Sequence, residues 1–98
     1  MSARPSTGVR YALERTGGEE GRITYEGFAH LPDVDLPLVA HVALPGGAVT
    51  VTAGSAEGVA EARGAEIAKA ATALVRAATK GEVAAGRTLP RKIVRWRG

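Results

Sequence analysis

The sequence predicts an α+β fold: a single antiparallel sheet in the element order ββ-ββ-α-β, with one long helix packed on one face. Three observations lead there. Apolar and polar residues alternate in short stretches up to about residue 53. Clusters of Gly, Pro and Asp separate those stretches. A single alanine-rich stretch of helical period follows, and a short alternating segment comes after it.

Val9, Tyr11 and Leu13 alternate with Arg10, Ala12 and Glu14, which predicts a half-buried first strand. The run Thr16 to Gly21 supplies turn residues that accept positive φ. A second strand places Ile23 and Tyr25 on one face. Phe28 falls out of that phase, and Gly27 before it suggests a bulge that switches the facing. Leu31 to Pro37, with two prolines and two aspartates, predicts a loop. Leu38 to Leu44 is apolar on both faces, as in a strand covered twice or lying at an interface. Pro45-Gly46-Gly47 turns the chain into a strand over Ala48 to Ala53, closing a second hairpin.

Ser55 has the chemistry of a helix N-cap, and Glu57 and Glu61 put negative charge near the positive end of the helix dipole. The expected helix runs from about Ala56 to Lys80 and stops at Gly81. Its wheel gathers Ala60, Ile67, Ala71, Leu74 and Ala78 on one face, and Lys69, Arg76 and Lys80 on the opposite one. Gly64, near the packing face, suggests a close approach. Gly81 to Pro90 reads as irregular, and Lys92 to Arg97 as a last strand with Val94 and Trp96 on one side.

Ninety-eight residues suit one domain, residues 9–98, preceded by an expected flexible arm over residues 1–8. Ala and Val dominate the apolar residues, with only four aromatics, so each buried side chain removes little area at roughly 25 cal/mol per Å². A core that thin favours a homo-oligomer, whose interface adds burial. The absence of cysteine excludes disulfides, thiolate nucleophiles and cysteine-based metal sites. No apolar run approaches a membrane span, and the first residues lack the apolar stretch of a secretory signal. The expected compartment is the cytoplasm, with no membrane partner.

Charge is distributed unevenly. From Lys69 to Gly98 there are eight basic residues against Glu82 alone, a balance of +7, while the preceding 68 residues carry −4. Such polarity favours docking against something acidic or head-to-tail contact with another copy. Lys69, Arg76 and Lys80 on the helix, with Arg91, Lys92, Arg95, Trp96 and Arg97 after it, form the candidate binding set for an acidic protein surface or a nucleic acid. Leu38, Val39, Val42 and Leu44 form the candidate apolar interface.

Reactive chemistry is sparse. His30, Asp33, Asp35 and His41 have metal-ligand chemistry, but their spacing matches no closed motif and turn chemistry accounts for the aspartates. The three serines lie in the arm and at the helix cap, away from any nucleophile motif. Neither Gly46-Gly47 nor the glycines around Glu19 have phosphate-loop spacing. The sequence therefore argues for a non-catalytic binding module, with no cofactor, metal or small-molecule substrate.

The run Val49-Thr-Val-Thr-Ala-Gly-Ser-Ala-Glu-Gly-Val-Ala-Glu-Ala62, continuing to Leu74, resembles the third strand and helix of HicB-type antitoxins. In that family a glycine-threonine or glycine-serine step opens an alanine-rich helix after a small antiparallel sheet. The resemblance implies a toxin-blocking role. It covers about a quarter of the chain, and an extra strand, a basic end and the lack of an appended DNA-binding helix pair depart from the family. The readings that follow from the sequence are thus an assembly or adaptor subunit, a small nucleic-acid binder, or a toxin-binding antitoxin.

Overall fold

Five strands and one helix follow one another as β1 (Val9–Glu19), β2 (Arg22–His30), β3 (Asp35–Ala43), β4 (Val49–Ala53), α1 (Glu61–Ala85) and β5 (Lys92–Arg97). The computed structural model describes residues 8–44, 46–55, 57–85 and 88–97; the expected N-terminal arm, apart from Gly8, and Pro45 of the second turn lie outside them. The sheet order is β4-β3-β2-β1-β5, with every neighbouring pair antiparallel. This is the anticipated α+β architecture. Because the first four strands meander and β5 returns beside β1, β4 and β5 run parallel at opposite edges.

Alternation divides the sheet into two unlike faces. Tyr11, Leu13, Tyr25, Leu36, Leu38, Ala40, Val42, Val49 and Ile93 are buried on the helix side. They meet Ile67, Ala71, Leu74 and Val75 of α1, and Leu31 and Leu89 close the two ends of the core. The second hairpin and the helix stripe follow the sequence pattern, with Val75 and Thr79 joining the buried stripe and Ala60 left exposed. The Thr79 hydroxyl is satisfied within the helix, donating to the Val75 carbonyl at 2.8 Å.

Six expectations are corrected. Gly27 is not a bulge: pairing is continuous from Arg10–His30 to Arg15–Tyr25, and the irregularity lies between Arg15 and Gly17. Phe28 leaves the phase of Tyr25 simply because it points to the other face. Gly27 instead serves close approach, since a Cβ there would collide with the Ala12 carbonyl oxygen. The first turn is also shorter than anticipated, with β1 running to Glu19 and only Glu20 and Gly21 (φ 82°) turning the chain.

The loop at Leu31 is likewise shorter and β3 begins at Asp35, so Pro37 lies inside a strand. Its carbonyl accepts from Gly54 N at 2.8 Å, so its nitrogen also faces that side, beyond the last residue of β4. No ladder donor is required there.

The helix is displaced along the chain. Ser55 does not cap it: Gly58 (φ 83°) interrupts, and the first i→i−4 bond runs from Gly64 N to Ala60 O at 3.0 Å. At the other end α1 passes through Gly81 to Ala85. Val83 packs against the core and sits over Gly47, which is enough to outweigh a glycine cost of about 1 kcal/mol. Gly64 makes no close approach, because the space beside its Cα is open.

The link from α1 to β5 is tied to the first hairpin. Arg15 donates from Nη1 to Leu89 O at 2.8 Å and from its backbone N to Arg91 O at 2.7 Å. The Tyr25 hydroxyl donates to Pro90 O at 2.5 Å. Burial pushes the phenols of Tyr25 and Tyr11 above their ordinary range, against the lowering influence of Arg15 and Arg97 respectively; Glu82 adds to the rise at Tyr25.

Two predictions follow from this packing. Gly27→Ala forces β1 and β2 apart and should cost at least about 2 kcal/mol in chemical denaturation, whereas Gly81→Ala, in open helical space, should gain about 0.5–1 kcal/mol. The raised phenol pKa values stabilise the fold below about pH 10, and that stability is lost as pH rises through the folded-state values. Melting curves taken between neutral pH and about pH 11 should therefore fall less steeply for Tyr25→Phe than for the parent chain.

Candidate interaction surface

The residues anticipated to form one basic site are dispersed over three surfaces. Lys69, Arg76 and Lys80 are exposed on α1. Arg95 and Arg97 share the helix-side phase of β5 with buried Ile93, and both are exposed at the sheet edge. Lys92 and Trp96 belong to the opposite face, and Arg91 precedes the strand, its carbonyl already held by Arg15. Alternation accounts for the split: successive residues of a strand cannot share a face.

The anticipated apolar interface also changes. Leu38 and Val42 are buried beneath the helix, with 1% and 0% exposure, and so present no surface. Val39 is half-buried on the uncovered face. Leu44, also half-buried, donates from its backbone N to Gly21 O at 2.8 Å and joins the two hairpin turns.

The uncovered face itself carries the unexpected feature. Among the described residues, the exposed large apolar side chains are Phe28 (45%), Val94 (39%) and Trp96 (56%), and all three lie on this face. Reading across β5, β1, β2 and β3, one row is Val94, Ala12, Phe28 and Pro37. The next row is Trp96, Arg10, His30 and Asp35. Arg10 lies over the indole of Trp96, 5.7 Å from the ring centroid, and the Phe28 and His30 rings stack at 5.9 Å. His30 Nδ1 pairs with Asp35 Oδ1 at 2.7 Å. On the other side of the apolar row stand Lys92, Glu14, Glu26 and Val39, with Glu26 accepting from the Thr16 hydroxyl at 2.7 Å.

Phe28 and Arg10 were legible only in part. Phe28 out of phase with Tyr25 is itself the signal for the second face, and Arg10 follows from its alternation with Tyr11.

The four residues with metal-ligand chemistry do not gather into one cluster. His41 hydrogen-bonds Thr24 at 3.1 Å, Asp33 lies 3.8 Å from Arg63, and His30 is with Asp35. His41 stands six residues along β3 from Asp35, about 20 Å away. No group of three or more metal-ligating side chains occurs among the described residues. An open groove of about 690 Å³ lies elsewhere, between Gly46–Ala48 and the helix residues Arg76, Lys80 and Val83. No helix among the described residues is long and apolar enough to cross a membrane.

No family model, curated protein or solved structure matches this chain. The likeness of β4 and its following helix to HicB antitoxins therefore stays a local pattern, and the Gly54-Ser55 step that carried it does not open α1.

Trp96 is the single tryptophan and reports on the uncovered face. In dilute solution its emission should be that of a water-exposed indole and strongly quenched by acrylamide. A blue shift on concentration, lost in Phe28→Ser, is the expected sign that the face becomes covered.

Proposed function

We propose that this chain is a non-catalytic assembly subunit that associates with a second copy through the uncovered face of its sheet, in the cytoplasm, a compartment that a cysteine-free chain suits. The observation that carries this reading is the gathering of Phe28, Val94 and Trp96 on the face that, among the described residues, no helix covers. An antiparallel sheet with a solvated side normally presents polar residues there; an apolar row presented to water favours being covered.

Turning a second copy over about an axis parallel to the strands brings the two apolar rows of Val94, Ala12, Phe28 and Pro37 into contact. Two sheets so packed lie about 10 Å apart, the spacing of a β-sandwich. Leucine rather than alanine leads the buried core, so the case for association rests on this patch and not on a thin core.

A nucleic-acid role is less well supported, because the cations face three directions and acids accompany those on the aromatic face.

Light scattering over a concentration series tests the reading. The expected outcome is twice the monomer mass, unchanged between about 0.05 and about 0.5 M salt because apolar burial dominates. The triple substitution Phe28→Ser, Val94→Thr, Trp96→Ser should give monomers with stability within about 1 kcal/mol of the parent, these residues being exposed in the single chain. A parent chain that is monomeric at every concentration overturns the proposal.

A further inference from the structure

We infer that the free edge of β5 accepts an extended acidic segment of another protein as a sixth strand, a recognition site distinct from the sheet face that carries self-association. The inference begins with backbone geometry. Arg15 N donates to Arg91 O, so the residues of β5 that bond to β1 are those in phase with Arg91: Ile93, Arg95 and Arg97. The amide and carbonyl groups of Lys92, Val94 and Trp96 therefore point away from the sheet. They form a row of donors and acceptors of the kind that a further strand completes.

The side chains say which strand fits. Arg95 Nη1 donates to Val94 O at 2.8 Å, and Arg97 Nη1 donates to Trp96 O at 3.3 Å. Each arginine thus folds over the outward carbonyl of the residue before it and occupies the place that an incoming amide would take. Neither guanidinium has a carboxylate partner among the described residues. An incoming strand displaces both from the carbonyls, and carboxylates on that strand are the groups that receive them, in charge-assisted pairs stronger than the bonds given up.

The charge of the edge decides between occupants. Lys92, Arg95 and Arg97 make β5 cationic with no acid in it, so β5 of a second copy would bring like charges opposite one another. The edge is closed to itself and open to an acidic strand. Its alternation extends the rule: the visitor needs carboxylates on the phase beside Arg95 and Arg97, and apolar side chains on the phase beside Val94 and Trp96. The recognised chemistry is therefore an extended segment of about six residues in which acidic and aliphatic residues alternate.

A blocked peptide alternating Glu with Val or Ile is the probe, titrated against the full chain and followed by amide NMR and anisotropy. The expected result is binding that an otherwise identical Lys/Val peptide fails to show, weakened about ten-fold or more between about 0.05 and about 0.5 M salt. The amides of Val94 and Trp96 should become protected from hydrogen exchange on binding. N-methylation of alternate peptide amides should abolish binding in one phase and leave it in the other, which separates strand addition from charge attraction alone. Arg95→Ser with Arg97→Ser should lower affinity at least about ten-fold with melting unchanged, while Phe28→Ser, two strands away, leaves it intact. Absence of binding, or binding indifferent to N-methylation in either phase, overturns the inference and makes the arginines guards that keep the edge solvated. Neither result touches the mass measurement by which face-to-face association stands or falls.

Discussion

One helix about 10 Å across has to cover a five-stranded sheet about 20 Å wide, and this mismatch governs the rest of the molecule. The helix lies chiefly over β4 and reaches β3 and β5 only at its margins. Loop residues fill what it leaves bare: Leu31 at the β2–β3 connection and Leu89 before β5 are as buried as the strand residues. The tyrosines do the same from the sheet. Tyr11 and Tyr25 are the largest side chains of the core, and they stand on the central strands β1 and β2. Ala71 is the buried alanine of α1, and so small a side chain lets the helix sit close to the strands it reaches, while most of its other alanines are exposed.

With a single helix spent on one face, nothing in the described chain remains to cover the other. That is why the apolar patch of Phe28, Val94 and Trp96 carries the functional reading rather than the basic residues that dominate the sequence. The basic residues are partly structural. Arg15 anchors the return of the chain through Leu89 and Arg91, and Arg95 and Arg97 occupy the outer carbonyls of β5. Arg10 shields one side of an exposed indole. Net charge counted along a chain says nothing of which face each charge takes, and in strands consecutive charges part company.

Period-two alternation was the dependable signal in this sequence. It identified β1, β2, β4 and β5, and the bounds of β5 agree residue for residue. It also contained the two-faced character of β3, though the residues chosen as an interface, Leu38 and Val42, belong to the buried side. Glycine and serine misled in each case because local preference was overridden by packing. Gly81 ends helices when nothing follows to hold them, but Val83 has the core to meet. Ser55 caps helices when the chain turns at once, but the positive φ at Gly58 delays the first turn to Glu61. The exposed apolar patch was the least legible element. Its members are distant in sequence, Phe28 on β2 and Val94 and Trp96 on β5, and only the adjacency of β5 to β1 brings them together.

That adjacency has a kinetic consequence. Leu13 and Ile93 face each other across roughly 80 positions of chain, so closing the β1–β5 ladder carries the largest loop entropy of any pairing in the sheet. During synthesis the four-strand meander is complete while β1 still lacks its outer neighbour. The nascent protein passes through an interval in which the outer edge of β1 is unguarded, and the latch at Leu89–Arg91 ends that vulnerable interval by setting β5 in register.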